Sequence, residues 1–247
     1  MRKITDIAYG VHPSQRLDLV LPDDGAFDVL VYMHGGGLEA GDKALSDAFG
    51  EYVTARGVAV ASANYRMYPE AAYPEFVRDG AAAVAWVKKH IGEYGDCGRF
   101  FVGGSSAGGY LSMMLCFDRR WLAPYGIDPS SIDGYIHDAG QPTCHYNVLR
   151  ERGIDSRRVI IDDSAPLYHV GTADVYAPML FVISDEDMEN RYEQTMLMLS
   201  TLRHFRCDMD RVQLRVMHGK HCAYTQGTPE CPESMLAHIL CEYIGKN

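Results

Sequence analysis

Short runs of apolar, largely β-branched residues alternate with longer segments of helical periodicity along most of this 247-residue chain. Such alternation is typical of a parallel β-sheet, because parallel strands need long crossovers, and crossover helices then cover both faces of the sheet. The central runs are apolar throughout, as expected of strands buried on both sides. We therefore predict an α/β fold with a mostly parallel central sheet and helices on both faces.

Seven runs are predicted as strands, and five segments as helices because apolar residues recur in them at spacings of three and four. The predicted strands are Arg16 to Leu21, Val29 to Met33, Val58 to Asn64, Arg99 to Gly103, Gly134 to His137, Met179 to Ser184 and Gln213 to Met217. The predicted helices are Ser46 to Arg56, Glu75 to Ile91, Ala107 to Phe117, Asn190 to His204 and Pro232 to Ile244. A chain of this length is expected to form a single domain over residues 1–247.

The overall charge argues against nucleic acid as a partner. The formal net charge is −10 at pH 7, and Lys and Arg are scattered, so no basic stripe is available for phosphate contacts. The first residues are followed by no apolar stretch long enough for a signal peptide or a membrane helix. We therefore expect a cytoplasmic protein that binds neither nucleic acid nor membrane.

The seven cysteines indicate neither a disulfide framework nor a metal site. They are odd in number and include no Cys-x-x-Cys pair, so reduced thiols are expected. His218, His221, Cys222 and Cys231 lie close together in sequence but lack the paired spacing of tetrahedral zinc sites. We expect no metal and no cofactor.

One serine has the sequence setting of a catalytic nucleophile. Gly104-Ser105-Ser106-Ala107-Gly108 matches Gly-x-Ser-x-Gly and lies between a predicted strand and a predicted helix. A strand-to-helix turn this sharp pushes the central hydroxyl clear of the sheet, and the flanking glycines remove Cβ atoms that would clash. We predict Ser106 as the nucleophile. Ser105, at the variable second position of the pattern, is the alternative.

Three consecutive glycines follow an earlier predicted strand. In His34-Gly35-Gly36-Gly37, backbone N–H groups can point at one spot and, with the N–H of Ala107, stabilise a negatively charged oxygen. We predict Gly36 and Gly37 as the donors of this oxyanion hole. His34 is expected to orient the loop by a hydrogen bond.

These two motifs stand in a chain that resembles a known superfamily. It looks like the α/β-hydrolase superfamily, specifically its small esterases related to hormone-sensitive lipase and to bacterial feruloyl and acetyl esterases. The resemblance spans nearly the whole chain and implies the α/β-hydrolase fold, with catalytic residues in the order Ser, acid, His. Besides the serine motif, it is carried by Leu17 to Pro22, His34 to Gly37, Asn64 to Arg66, Pro69, Glu70, Pro74 and the histidine near the end of the chain.

The resemblance implies an acid after a late strand, and two aspartates are available there. Asp185-Glu186-Asp187 follows the strand predicted at Met179 to Ser184. The superfamily usually has Gly-x-x-Asp at this place, and with Ser184 standing for the glycine the match falls on Asp187. We predict Asp187 as the acid, and the missing glycine leaves Asp185 as the alternative.

The catalytic histidine is implied after the last strand, in the segment from His218 to Cys222. Resembling esterases carry a glycine followed within a residue or two by this histidine, which favours His221 and leaves His218 as the alternative. A neutral imidazole is needed because a serine hydroxyl is a poor nucleophile at neutral pH. The carboxylate then fixes the tautomer of the imidazole.

The stretch from Arg119 to Val175 fits the alternation of strands and helices least. Beyond its one predicted strand it mixes polar, aromatic and Pro residues, so we interpret it as an insertion or cap over the catalytic face. Part of it follows a strand end, where α/β sheets place their ligands. The predicted substrate contacts are Gln141, Thr143 and His145 from this stretch, together with His34.

The function implied by the resemblance is a serine carboxylesterase that cleaves small, short-acyl esters through an acyl-enzyme. Acetyl or feruloyl esters of carbohydrates are the substrates that the resemblance suggests. A peptidase of the prolyl oligopeptidase type shares the fold but normally carries a propeller domain, and the chain has no such repeat. A non-catalytic binder similar to the gibberellin receptor loses a triad member, whereas all three positions are filled here. The sequence leaves a homodimer open.

Overall fold

Eight strands form one continuous sheet in this computed structural model, which describes residues 1–23, 25–227 and 233–245. They are β1 (Arg2–Ala8), β2 (Arg16–Leu21), β3 (Phe27–Met33), β4 (Val58–Ala63), β5 (Cys97–Ser105), β6 (Gly134–Asp138), β7 (Met179–Glu186) and β8 (Val212–Lys220). Their order across the sheet is β1-β2-β4-β3-β5-β6-β7-β8. β2 is antiparallel to β1 and β4, and the other neighbouring pairs are parallel, as the sequence predicts for most of the sheet.

The parallel strands determine where a site can form. Neighbouring parallel strands end at the same edge of a sheet, so the loops after β3, β5, β6, β7 and β8 meet at one rim. β3 and β4 are buried at every position, which explains why their sequences are apolar apart from Asp28 and Ser62 and show no polar alternation. The rim formed by these loops is therefore where side chains from distant parts of the chain can meet.

Helices cover both faces of this sheet. The helices in the described ranges are α1 (Asp47–Thr54), α2 (Glu75–His90), α3 (Ala107–Phe117), α4 (Tyr146–Glu151), α5 (Arg191–His204) and α6 (Met235–Ile244). One apolar cluster contains Phe49 of α1 and Leu240 of α6. The cluster on the opposite face contains Val84 of α2, Leu111 of α3 and Met198 of α5.

Helix α3, which follows β5, is buried along its whole length. It lies between the sheet and the stretch from residue 119 to 175, and the hydroxyl of Tyr110 donates to the carbonyl of Ser164 in that stretch (2.8 Å). The side-chain amide of Asn147 also donates to the carbonyl of Gly37 (2.8 Å). The stretch therefore packs against both α3 and the loop after β3.

Two elements were not predicted from the sequence, and most of the predicted strands and helices begin or end one to three residues away from their predicted bounds. Strand β1 was not predicted, because it is an edge strand with mostly exposed residues. Its pairing with β2 is what makes it a strand. Helix α4 was not predicted, because six residues are too few to show a helical period. The last helix, predicted from Pro232, begins at Met235, and Pro232 itself lies outside the described residues.

Within the described ranges, none of the helices combines the length and the apolar character that crossing a bilayer requires.

Candidate active site

The turn between β5 and α3 places Ser106 in a strained conformation at the rim of the sheet. Its φ is 54° and its ψ is −111°, a region that residues other than glycine rarely occupy. The chain passes so close to β3 here that a Cβ atom on Gly108 would lie 1.9 Å from the carbonyl oxygen of Met33. The glycine two residues after the serine is therefore a requirement of the packing.

Three distant parts of the chain meet at Ser106. The hydroxyl oxygen of Ser106 lies 2.9 Å from Nε2 of His221, which follows β8. Nδ1 of the same ring lies 2.6 Å from Oδ1 of Asp187, which follows β7. The structure thus brings together the serine, histidine and aspartate selected from the sequence, in one hydrogen-bonded chain.

The protonation of the ring follows from these partners. An ionised carboxylate can only accept a hydrogen bond, so the proton of a neutral His221 lies on Nδ1, facing Asp187. Nε2 is then a free acceptor directed at the hydroxyl of Ser106, which is the arrangement that proton removal from the serine needs. The side chain of Asp187 is fully buried, and its Oδ1 also accepts the backbone N–H of Met188 (2.7 Å).

A buried cation lies close to this aspartate. Arg191, at the start of α5, is 4% exposed, and its guanidinium donates to the carbonyl of Ala139 (2.6 Å). Burial lowers the pKa of Arg191, and the nearby charge of Asp187 acts in the opposite direction. The carboxylate of Asp187 therefore partly offsets the effect of burial on the Arg191 guanidinium.

The alternative residues that the sequence left open do not take part in the hydrogen bonds that join Ser106, His221 and Asp187. Asp185 and His218 pair with each other (2.9 Å), with side chains that are 43% and 86% exposed. This pairing lowers the pKa of Asp185 and raises that of His218. The hydroxyl of Ser105 is held by Tyr32 (2.7 Å) and by the carboxylate of Asp138.

The two predicted oxyanion glycines lie in a tight loop beside the serine. Gly36 and Gly37 have φ values of 121° and 67°, and a Cβ atom on Gly36 would lie 2.0 Å from the carbonyl oxygen of Ala40. Ala107 is the first residue of α3, where a backbone N–H has no acceptor within the helix. Within the described ranges, none of these three N–H groups is used in another hydrogen bond.

A cavity of about 360 Å³ opens directly over Ser106 and His221. One wall is apolar and is formed by Phe49 of α1, Leu236 of α6 and Leu45 of the segment before α1. Tyr32, Tyr146 and Met188 complete the apolar and aromatic lining, and no local sequence pattern indicates the set as a whole, because its members lie on distant elements. Cys222 also lines the cavity, and burial raises the pKa of its thiol, which disfavours the thiolate.

The four predicted substrate contacts have different surroundings. His34 lines the cavity, but its ring is stacked on Tyr65 and its Nδ1 is bonded to the carbonyl of Gly35 (2.7 Å). Burial lowers its pKa, so it is neutral and fits the orienting role. Gln141 lines a neighbouring groove, but it is buried, and its amide donates to the carbonyl of Cys144 (2.9 Å) and accepts the N–H of Tyr146 (3.2 Å).

The prediction of substrate contacts is wrong for Thr143 and His145, because both are buried in hydrogen bonds within the fold. The hydroxyl of Thr143 donates to the side chain of Gln194 (2.9 Å), and the ring of His145 accepts the N–H of Asn147 at the start of α4. The loop that contains them turns inward rather than over the cavity.

The histidines and cysteines considered for zinc have other partners here. His221 is bonded to Ser106 and Asp187, His218 to Asp185, and Cys231 lies outside the described residues. Among the described residues, the potential metal ligands that approach one another are Asp185, Glu186 and His218, all of them exposed. Exposed groups of this kind carry no argument for a metal.

Comparison with known proteins adds to this geometry. A family model described as BD-FAE matches residues 17–123, which extends from β2 through α3. The match therefore includes the glycine loop after β3 and the turn at Ser106, and it ends before Asp187 and His221.

Two curated relatives show the extent of the sequence similarity. A probable isoprenylcysteine alpha-carbonyl methylesterase of Arabidopsis thaliana is 34% identical over 116 residues, 46% of this chain and 28% of that protein. The carboxylic ester hydrolase LipN of Mycobacterium tuberculosis is 40% identical over 112 residues, 44% of this chain and 30% of that protein. The similarity therefore spans less than a third of either relative.

The structural similarity extends over a larger part of the chain than the sequence similarity does. A solved structure described as a truncated form of a carbohydrate esterase from gut microbiota matches with a TM-score of 0.77 and 18% identity. The match covers 99% of this chain and 95% of that one, which shows a common fold. The fold and the sequence matches confirm the predicted resemblance: the chain has the fold of a solved esterase, and less than half of its sequence is similar to carboxylic ester hydrolases.

Proposed function

We propose that the protein is a serine carboxylesterase in which Ser106 is the nucleophile, His221 the general base and Asp187 the residue that orients the imidazole. The observation that carries this proposal is the chain of two hydrogen bonds, 2.9 Å and 2.6 Å long, at the floor of an open cavity. A serine with only a packing role would not need an imidazole whose second nitrogen faces a buried carboxylate. The names of the curated relatives, which are ester hydrolases, support the same chemistry.

Acylation follows from this arrangement. As Oγ of Ser106 attacks the ester carbonyl, its proton passes to Nε2 of His221, and the carbonyl π electrons move onto the oxygen. The N–H groups of Gly36, Gly37 and Ala107 are the donors available to that oxyanion, and each such donor is worth about 3 kcal/mol in comparable sites. When the tetrahedral intermediate collapses, the C–O bond to the alcohol breaks, and the imidazolium protonates the leaving oxygen.

Deacylation repeats these steps with water. His221 takes a proton from a water molecule as its oxygen attacks the acyl carbon, and the same donors stabilise the second oxyanion. Collapse releases the carboxylic acid and returns the proton to Oγ of Ser106. Asp187 remains ionised throughout, because its role is to hold the tautomer and to stabilise the imidazolium.

The size of the cavity supports short acyl groups. Its volume of about 360 Å³ is near the lower end of the range of ligand pockets. The wall formed by Leu45, Phe49 and Leu236 is apolar, so it suits a short hydrocarbon chain. We therefore propose acetyl to butyryl esters as the preferred class, with feruloyl esters kept as a comparison.

The alcohol side of the substrate is proposed to lie in the neighbouring groove of about 470 Å³. Tyr146 and Met188 line both the groove and the cavity, so the two are adjacent. Asn190 and Ser156 are exposed along the groove, and their amide and hydroxyl groups are of the kind that binds sugar hydroxyls. A carbohydrate alcohol fits this lining, and a structural neighbour is described as a carbohydrate esterase.

The proposal is tested by turnover of 4-nitrophenyl acetate, butyrate, octanoate and laurate, followed by acetylated and feruloylated oligosaccharides. We expect kcat/KM to fall as the acyl chain exceeds the cavity. Ser106→Ala should abolish both turnover and covalent labelling by a fluorophosphonate, while Ser105→Ala should retain labelling. A wild-type protein that neither turns over an ester nor is labelled would support a non-catalytic binder instead.

Two further parts of the proposal concern the setting of the enzyme. We propose a single domain over residues 1–247 in which the stretch from 119 to 175 acts as a cap, because this stretch contacts the glycine loop through Asn147. We also propose a cytoplasmic enzyme, since the six cysteines in the described ranges are free thiols.

A further inference from the structure

A second carboxylate, which the proposed mechanism does not use, is buried directly beneath the catalytic serine. Asp138 is the last residue of β6 and is 0% exposed. In the sheet it lies beside Ser105 of β5 and Val182 of β7. Burial of a charge is costly unless hydrogen bonds compensate for it, so the partners of this carboxylate need an explanation.

Three hydroxyl groups surround the carboxylate. The hydroxyls of Ser105 and Tyr32 donate to Oδ2, the latter at 3.4 Å, and the hydroxyl of Tyr224 donates to Oδ1. The single proton of the Tyr32 hydroxyl is shared, because this hydroxyl also donates to the oxygen of Ser105 (2.7 Å), whose own proton faces Asp138. Both tyrosines are buried. Asp138 is therefore the centre of a closed network within the described residues.

Each hydroxyl comes from a segment that carries one part of the catalytic machinery. Tyr32 lies on β3, two residues before His34 and the glycine loop. Ser105 is the neighbour of Ser106, whose own N–H donates to the carbonyl of Asp138 (2.7 Å). Tyr224 comes three residues after His221. The side chain of Asp138 thus contacts the strand that leads into the glycine loop, the turn at Ser106 and the segment that follows His221.

We propose that Asp138 is a positioning residue whose ionised carboxylate fixes these three segments relative to one another. This inference rests on the proposed esterase function. Hydrogen bonds to an ionised acceptor are shorter and about twice as strong as neutral ones, so the ionised form holds the three hydroxyls most firmly. Small displacements of reacting groups cost large factors in rate, so loosening the network lowers kcat.

The ionisation of Asp138 falls in a range that experiments can reach. Burial raises the pKa of Asp138 to about 6, while the hydroxyls of Ser105 and Tyr224 and the charge of His221 lower it, and the charge of Asp187 raises it. In turn, the charge of Asp138 contributes to the raised pKa values of Tyr32, Tyr224 and Cys222. Below about pH 6 the carboxyl is protonated and the network loses its charge.

The first test replaces the carboxylate with its neutral isostere, Asp138→Asn. At pH 8 we expect kcat for 4-nitrophenyl acetate to fall about tenfold, with KM within twofold of the wild type. Near pH 5 the wild-type carboxyl is itself neutral, so the ratio of wild-type to variant activity should approach one. A variant with only a structural defect would show the same ratio at every pH.

The second test removes one hydroxyl and leaves the carboxylate in place. Tyr224→Phe should lower kcat about fivefold and move the acidic fall in activity to higher pH, because a hydroxyl that lowers the pKa of Asp138 is lost. Tyr243→Phe is the matched control: Tyr243 lies on α6, packs edge-on against Phe101 and does not line the cavity. It should leave both kcat and the pH profile unchanged. This pair keeps the inference testable if Asp138→Asn does not fold.

The outcomes separate this inference from the proposed function. If the wild type neither hydrolyses esters nor reacts with a fluorophosphonate, the proposed function fails. If the wild type is active but the ratio to Asp138→Asn is constant between pH 5 and 8, or Tyr224→Phe behaves like Tyr243→Phe, the positioning role of Asp138 is overturned and the esterase function stands.

Discussion

Ser106 is held in a backbone conformation with positive φ, which a serine in a flexible loop would not retain. Its positive φ persists because hydrogen bonds fix the backbone on both sides: the N–H donates to the carbonyl of Asp138, and its carbonyl accepts the N–H of Tyr110 in α3 (3.0 Å). Strain of this kind is retained only where the surrounding structure over-determines it, and it is common at active sites. The direction of the hydroxyl is therefore set before any substrate binds.

Two single-residue substitutions distinguish the two aspartates that follow β7. Asp187→Asn should lower kcat about 10⁴-fold, because an amide at this position favours the wrong tautomer of His221. Asp185→Asn, the matched control with an identical change two residues away, should alter kcat less than about threefold, since Asp185 faces the exposed His218. Steady-state kinetics with 4-nitrophenyl acetate measures both. A larger loss in the Asp185 variant would reverse the assignment.

At the scale of elements, the cavity is formed by parts that belong to no single motif. The segment between β3 and α1 provides Leu45, α1 provides Phe49, and α6, near the other end of the chain, provides Leu236. These elements are neighbours because α1 and α6 pack on the same face of the sheet. The acyl specificity that we propose thus depends on how α1 and α6 pack against each other.

A bulky residue at the edge of this cavity should change the acyl preference. Leu45 is 51% exposed, so Leu45→Trp can be accommodated without disturbing the core, while its ring narrows the apolar end. We expect kcat/KM for butyrate to fall about tenfold and that for acetate less than threefold. Leu197→Trp, on the exposed side of α5 and away from the cavity, is the control and should change neither value. Equal losses for both esters would contradict the proposed position of the acyl chain.

At the scale of the whole molecule, two apolar clusters lie on opposite faces of one sheet. β3 contributes to both, with Leu30 in the cluster beneath α1 and α6 and Val31 in the cluster beneath α2 and α3. Neither cluster can lose its packing while the strand between them stays ordered. We therefore expect the chain to unfold as one cooperative unit.

The tryptophans offer a test of this cooperativity, because Trp86 and Trp121 both pack against the cluster that contains α2 and α3. Leu240→Ala opens a cavity in the other cluster and should reduce the free energy of unfolding by about 2–5 kcal/mol. In urea, the midpoint of unfolding measured by tryptophan fluorescence should fall together with the midpoint measured by circular dichroism. If only the circular dichroism transition moves, the two faces unfold separately and the cooperative picture is wrong.

The sequence alone determined the parts of this protein that depend on local pattern. Buried parallel strands need continuous apolar runs, so their positions were predicted to within a few residues, whereas the exposed edge strand β1 and the short α4 gave no such signal. The turn at Ser106 needs glycine at position 108 for steric reasons, so the nucleophile that we propose lies in a recognisable sequence motif. Resemblance then narrowed the acid and the histidine to two residues each.

Only the tertiary structure decided which side chains face one another across the rim. Asp187 and Asp185 are two residues apart, and the path of the chain after β7 directs one to His221 and the other to His218. Thr143 and His145 looked like substrate contacts because of their chemistry, and they are buried because their loop turns inward. The hydroxyls around Asp138 come from β3, β5 and the loop after β8, so no local pattern could have indicated them. Local sequence specifies the conformation of each segment, but contacts between distant segments depend on how the whole sheet and its helices pack.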